Sequence, residues 1–174
     1  MFRLTATTAG ALALAVTAAT AVFAQPAAPP PAPVTAPPAG APVRPVSAPP
    51  YGPTITLEQA KRAAAGAEAE ARKRGFNISI AIAGPTGDVV FFEHMDGALY
   101  ATDDLSKLKA RNSARYRWGT SGFIAMQKLG QNFPDVFVGG GGMPLVVGGR
   151  TVGAIGVSGA FDDPIAQAGV DALK

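Results

Sequence analysis

Twelve of the 16 prolines lie between residues 25 and 53, with alanine in most of the gaps. Proline removes a backbone donor and fixes φ, and alanine buries little area, so this stretch cannot build a packed core. It reads as a disordered, polyproline-like linker or tail, reaching on the order of 90 Å at ~3.1 Å per residue. It divides the chain into three parts. Ahead of it, residues 1–24 read as a signal peptide. Arg3 is their only charge, an apolar stretch runs from Gly10 to Phe23, and Val22 and Ala24 occupy the outer positions of a cleavage site. That stretch is shorter than the ~18 apolar residues of a membrane span. The expectation is a periplasmic or secreted protein with no membrane span after cleavage. Behind the prolines, residues 54–174 have the length of one domain.

Arg3 and Arg44 lie outside that domain, leaving 13 of the 15 Lys and Arg against all 12 Asp and Glu. A balance so near neutral gives no support to a nucleic-acid partner. The chain has no cysteine. Disulfides, thiolate ligands and Cys nucleophiles are excluded together. The domain must hold by packing alone.

Thr56-Leu57-Glu58-Gln59 is a capping box, and it opens a helix that runs through alanines to Arg74 and stops at Gly75. Phe76, Ile78, Ile80 and Ile82 then alternate with Asn77, Ser79, Ala81 and Ala83. This is a strand with one bulky and one small face. A turn at residues 84–88 leads to a returning strand at 89–94, so the two form an antiparallel pair. A second helix is expected over 103–117 with Thr102 as N-cap. It offers two stripes to the sheet: small Ser106, Ala110 and Ser113, or bulky Leu105, Leu108 and Tyr116. A short helix over 121–129, a short strand over 133–138 and a final helix over 162–173 complete the order. The class is α+β, an antiparallel sheet with helices packed on it.

Nine glycines fall between Gly139 and Gly159. Their spacing fits neither a phosphate-binding Walker loop nor a dinucleotide fingerprint. Two apolar runs around Gly148-Gly149 instead read as a β-hairpin, with Val147 opposite Arg150 and Leu145 opposite Val152. Gly153 and Gly156 lie within a strand, which implies close approach by a helix, a ligand or a subunit. The four glycines at 139–142 leave backbone N–H groups uncovered, in an anion-binding or a mobile loop.

His94 is the sole histidine, so a three-ligand catalytic zinc site of the usual kind is excluded. No Gly-x-Ser-x-Gly elbow supports a hydrolase. A lone imidazole can still ligate haem iron, since haem tolerates one protein ligand; otherwise His94 is an ordinary strand-end histidine. Lys107, Arg111 and Arg115 form a basic stripe, either solvated or set to meet carboxylates or phosphates.

Met95-Asp96-Gly97-Ala98, Lys109-Ala110-Arg111, Gly141-Gly142-Met143-Pro144-Leu145-Val146, Gly153-Ala154-Ile155-Gly156-Val157-Ser158-Gly159 and Ala168-Gly169 occur in that order. Together they resemble the GlcG/HbpS family of small haem-binding or haem-associated proteins, across all of 54–174. The resemblance implies a profilin-like sheet of about five strands and assembly into homo-oligomers. It also implies a haem cofactor, with Thr120 near the iron by motif position; His94, by the chemistry of its imidazole and not by the family pattern, is the other candidate iron ligand. Trp118 and Phe123 would meet the ring, and Lys109 or Arg111 the propionates. An exported haem-binding protein that sequesters or senses haem or a related tetrapyrrole is the leading expectation. An enzyme or binding protein for a small organic acid, and an oligomeric structural or regulatory module without a small ligand, are the competing ones.

Overall fold

Thr56 and Gln59 close the box that starts the first helix. Thr56 Oγ1 accepts from Gln59 N (3.2 Å), and Thr56 N donates to Gln59 Oε1 (3.1 Å). This fixes the start of α1 (Leu57–Arg74), which ends at Gly75 with φ 75°. The computed structural model describes residues 48–160 and 162–174. The signal-peptide reading, and most of the Pro/Ala tract, lie outside them. After α1 come β1 (Ser79–Ala83), β2 (Val89–His94), α2 (Ala101–Tyr116), α3 (Gly122–Lys128), β3 (Gly142–Val147), β4 (Arg150–Ser158) and α4 (Asp162–Asp171). The four strands form one antiparallel sheet in the order β2-β1-β4-β3.

The two-faced character of β1 divides the domain into layers. Ile78, Ile80 and Ile82 join Ile155 and Val157 in the main core, under Ala60, Ala63, Ala64 and Ala67 of α1 and Ile165 and Ala166 of α4. Each such isoleucine contributes roughly 1.5–3 kcal/mol by leaving water. On the other face Ala81, Ala83 and Ala154 meet Ala110 and Ala114 of α2. The small stripe of α2 therefore faces the sheet. The crossing point is Gly156, where an added Cβ would stand 2.0 Å from Ser106 O and 2.4 Å from Ala110 N. Helix packing accounts for this strand glycine.

Four sequence expectations need correction. The sheet has four strands, not five. The expected strand at 133–138 is a loop with a turn at Pro134-Asp135, closed by Val136 N donating to Phe133 O (3.1 Å), and pinned by one side chain: Asn112 Nδ2 donates to Asp135 O (3.0 Å), and Phe137 N donates to Asn112 Oδ1 (2.9 Å). A carboxamide here bonds residues two apart, as a residue of a parallel neighbouring strand would. In the hairpin, Val147 does oppose Arg150. A register shift between Leu145 and Val146 then sets Leu145 against Gly153, not Val152. Finally, the N-cap of α2 is Tyr100, which makes no side-chain cap, and Thr102 is buried in the first turn.

The last residues of the Pro/Ala tract are tied to the domain. β1 ends opposite Ala154, and the edge of β4 beyond that point is taken by residues 50–55. Thr151 N donates to Pro50 O (2.8 Å), Gly52 N to Thr151 O (2.9 Å) and Ile55 N to Val152 O (2.8 Å). The Tyr51 hydroxyl donates to Arg115 O (2.7 Å), and Arg117 lies over the Tyr51 ring. Among the described residues no helix is long and apolar enough to cross a membrane.

Candidate functional site

Helix α2 runs diagonally over the small face of the sheet. The six residues singled out for ligand binding lie beside it, on it or just after it.

At its first turn, Asp103 faces the end of β2. His94 is paired with Ser79 across the strands, so both side chains reach the same face and the same carboxylate. His94 Nδ1 lies 2.7 Å from Asp103 Oδ1, and Ser79 Oγ donates to that oxygen at 2.6 Å. Ser79 Oγ is also 2.8 Å from Thr102 Oγ1. The Ser79 hydrogen bond, then that of His94, holds the Asp103 carboxyl below its ordinary range, against the opposing effect of burial. An ionised carboxylate only accepts, so Nδ1 carries the hydrogen and the lone pair of the neutral ring sits on Nε2. Carboxylate support of this kind orients a metal-binding imidazole and raises its basicity. Tyr100 stacks on the ring at 5.7 Å and 12°. Tyr100 and its neighbour Leu99 are 87% and 73% exposed.

Past the other end of α2, Thr120 is fully buried. Its N donates to Gly142 O (2.9 Å), and its Oγ1 accepts from Gly142 N (2.9 Å). Trp118 and Phe123 pack edge-to-face at 5.1 Å, and Phe123 also meets Tyr116 and Phe133. Phe123 is buried, with 1% exposure. Lys109 points inward, its Nζ donating to Val157 O (2.9 Å), Ser158 Oγ (3.3 Å) and Asp162 Oδ2 (2.6 Å). Of the six residues, Thr120, Phe123 and Lys109 are buried, whereas His94, Arg111 and Trp118 keep some exposure. Thr120 adjoins β3 and His94 ends β2, at opposite edges of the sheet. Three strand spacings of about 4.8 Å put roughly 14 Å between those edges. Within one chain they are separate places, and one iron meets one or the other.

The glycine-rich loop is occupied by the protein's own carboxylate. Gly141 N donates to Asp163 Oδ1 (2.6 Å), and a Cβ on Gly140 would stand 2.7 Å from the same oxygen. Asp163 thus takes the place an external anion would need. Sequence reasoning did not connect Ser79 and Asp103 with His94. The one local signal was an aspartate in the first turn of a helix, a position that capping explains equally well.

An antiparallel sheet with helices on both faces, and a carboxylate-supported histidine at its edge, define a small α+β domain. Residues 55–171 match the family model described as haem degrading protein HbpS-like, and the chain belongs to that family. Protein GlcG of Escherichia coli K12 is 32% identical over 108 residues, covering 60% of this chain and 81% of its own. An uncharacterised 15.0 kDa protein of Citrobacter freundii is 30% identical over 116 residues, covering 61% and 80%. Among solved structures, a double mutant of Streptomyces reticuli HbpS aligns with TM-score 0.64 and 29% identity, over 71% of this chain and 90% of that one. The PduOC:heme complex aligns with TM-score 0.65 over 70% and 96%; at 20% identity it supports the fold alone.

Proposed function

We propose that this protein binds haem or a related tetrapyrrole, with His94 Nε2 as the iron ligand. The observation that carries this reading is the 2.7 Å contact between His94 Nδ1 and Asp103, which puts the ring hydrogen on Nδ1 and leaves the lone pair on Nε2. Haem needs a single protein ligand and supplies the redox-active iron. Leu99 and Tyr100 would meet its apolar ring. Lys107, one turn beyond Asp103, would meet its propionates. The family description and the HbpS relative support the same chemistry. Thr120 is the second candidate ligand, and reaching its hydroxyl requires breaking the clamp on Gly142. In an exported homo-oligomer, one accessible histidine per chain suits sequestering or sensing haem.

The test is a hemin titration of the purified chain, followed by Soret absorbance. Saturable binding is expected, lost in His94→Ala and kept in Thr120→Ser. Unchanged binding in His94→Ala would sink the assignment of the iron to that residue. Absence of saturable binding would remove the haem reading altogether.

A further inference from the structure

A cavity of about 770 Å³ opens between α2 and residues 134–136. Its walls include Arg111, Arg115 and Asn112 on one side and Asp135 on the other. Leu108, Tyr116, Pro134 and Val136 supply apolar lining. The volume falls within the range of small-ligand sites.

The two arginines differ from those of α1. Arg62, Arg72 and Arg74 all pair with glutamates one turn away. Arg111 and Arg115 have no hydrogen-bond or ion-pair partner for their guanidinium groups among the described residues. Their stems are nevertheless held. A Cβ on Gly87 would stand 2.8 Å from Arg111 Cγ and 3.2 Å from Arg115 Cδ, so both stems lie on the bare backbone of the β1–β2 turn. Gly87 has φ 93°, a conformation that favours glycine. The opposite wall is fixed too, because Asn112 bonds Asp135 O and Phe137 N. Two arginines with seated stems line a groove whose other wall is pinned, with one carboxylate against two guanidinium groups.

We propose that this groove binds a small dicarboxylate, at a site separate from His94. A guanidinium fork matches a carboxylate bidentately. Arg111 and Arg115 are about 6 Å apart along the helix, enough for each to take one end of a four-carbon diacid. The apolar lining covers the carbon chain, which inorganic phosphate would leave bare. Along α2, Arg115 lies about 18 Å from the Asp103 that orients His94. The inference does not rest on the haem reading.

The experiment is calorimetric titration of the full chain with succinate at low ionic strength, with propionate and inorganic phosphate as comparison ligands. One saturable succinate site per chain is expected, with propionate and phosphate at least tenfold weaker. Arg115→Gln and Arg111→Gln should each weaken succinate at least tenfold while leaving circular dichroism and melting unchanged, and Arg115→Gln should also leave the hemin titration unchanged. Arg115→Lys should also lose affinity, because the charge remains but the fork does not. Failure to saturate at millimolar succinate, equal binding of phosphate, insensitivity to both glutamine variants, or displacement of succinate by hemin would each overturn the proposal.

Discussion

Lys109→Met keeps an aliphatic stem of similar length and deletes the ammonium. In the folded protein that ammonium ties three elements: α2 to β4 through Val157 O and Ser158 Oγ, and both to the start of α4 through Asp162. The side chain of Lys109 is 2% exposed and that of Asp162 15%. Breaking a buried ion pair from one side costs about 3–5 kcal/mol, because the remaining charge stays desolvated. Asp162 Oδ1 still accepts from Ala160 N (2.8 Å), and its place at the start of α4 suits a negative charge. These place Lys109→Met at the lower end, about 3 kcal/mol. For a domain of this size that is a fall in Tm of roughly 9–15 °C. Asp162→Asn strands a cation at the more buried position and is expected to cost at least as much. The double variant should fall short of the sum by about 1–3 kcal/mol, since each change removes the other's partner. Urea unfolding followed by far-UV circular dichroism, at one protein concentration, measures all three. A Lys109→Met protein within about 0.5 kcal/mol of the parent, or strict additivity in the cycle, would refute the reasoning.

Gly156→Ala places a Cβ against Ser106 O and Ala110 N, backbone that moves only if α2 lifts from the sheet. A loss of about 2 kcal/mol or more is expected in the same unfolding assay. Ser79→Ala removes the main cause of the lowered Asp103 pKa. A carboxyl that is depressed in the folded state contributes stability above its unfolded pKa, and that contribution fades as pH falls through the folded value. The variant should therefore move the Asp103 midpoint upward in a carboxyl NMR titration and carry the acid limb of stability to higher pH. An unmoved midpoint would contradict the assigned hydrogen bond.

Features written within a few residues are legible in the sequence itself. Thr56 and Gln59 lie three apart, Gly75 ends the helix they begin, and Gly148-Gly149 sits between the runs it joins. The alternation of Ile78, Ile80 and Ile82 with small residues announced two unlike faces and hence two unlike helical layers. Contacts made across the chain were not legible. Residues 133–138 carry three apolar residues at their end behind a Pro134-Asp135 turn, and what holds them is an amide on α2. The register shift after Leu145 leaves no local mark. Lys109 read from the sequence as a candidate for the haem propionates, and its buried bond to Asp162, 53 residues later, left no local mark. His94 was visible as a candidate. The carboxylate that directs it became visible only once β2 and α2 were brought together.

The covering of Thr151 by residues 50–55 has a mechanical consequence. Whatever precedes Ala48 joins the domain beside Arg117 and Thr151, not at the free start of α1. Tension directed along that segment loads the Thr151 backbone pair, the Tyr51 hydroxyl and the Arg117 contacts with Ala48 O and Pro49 O before it reaches Thr56. These bonds act as a strain relief. A pull on the preceding segment is borne in shear by β4, at the centre of the sheet, while the capping box and the alanine face of α1 stay unloaded.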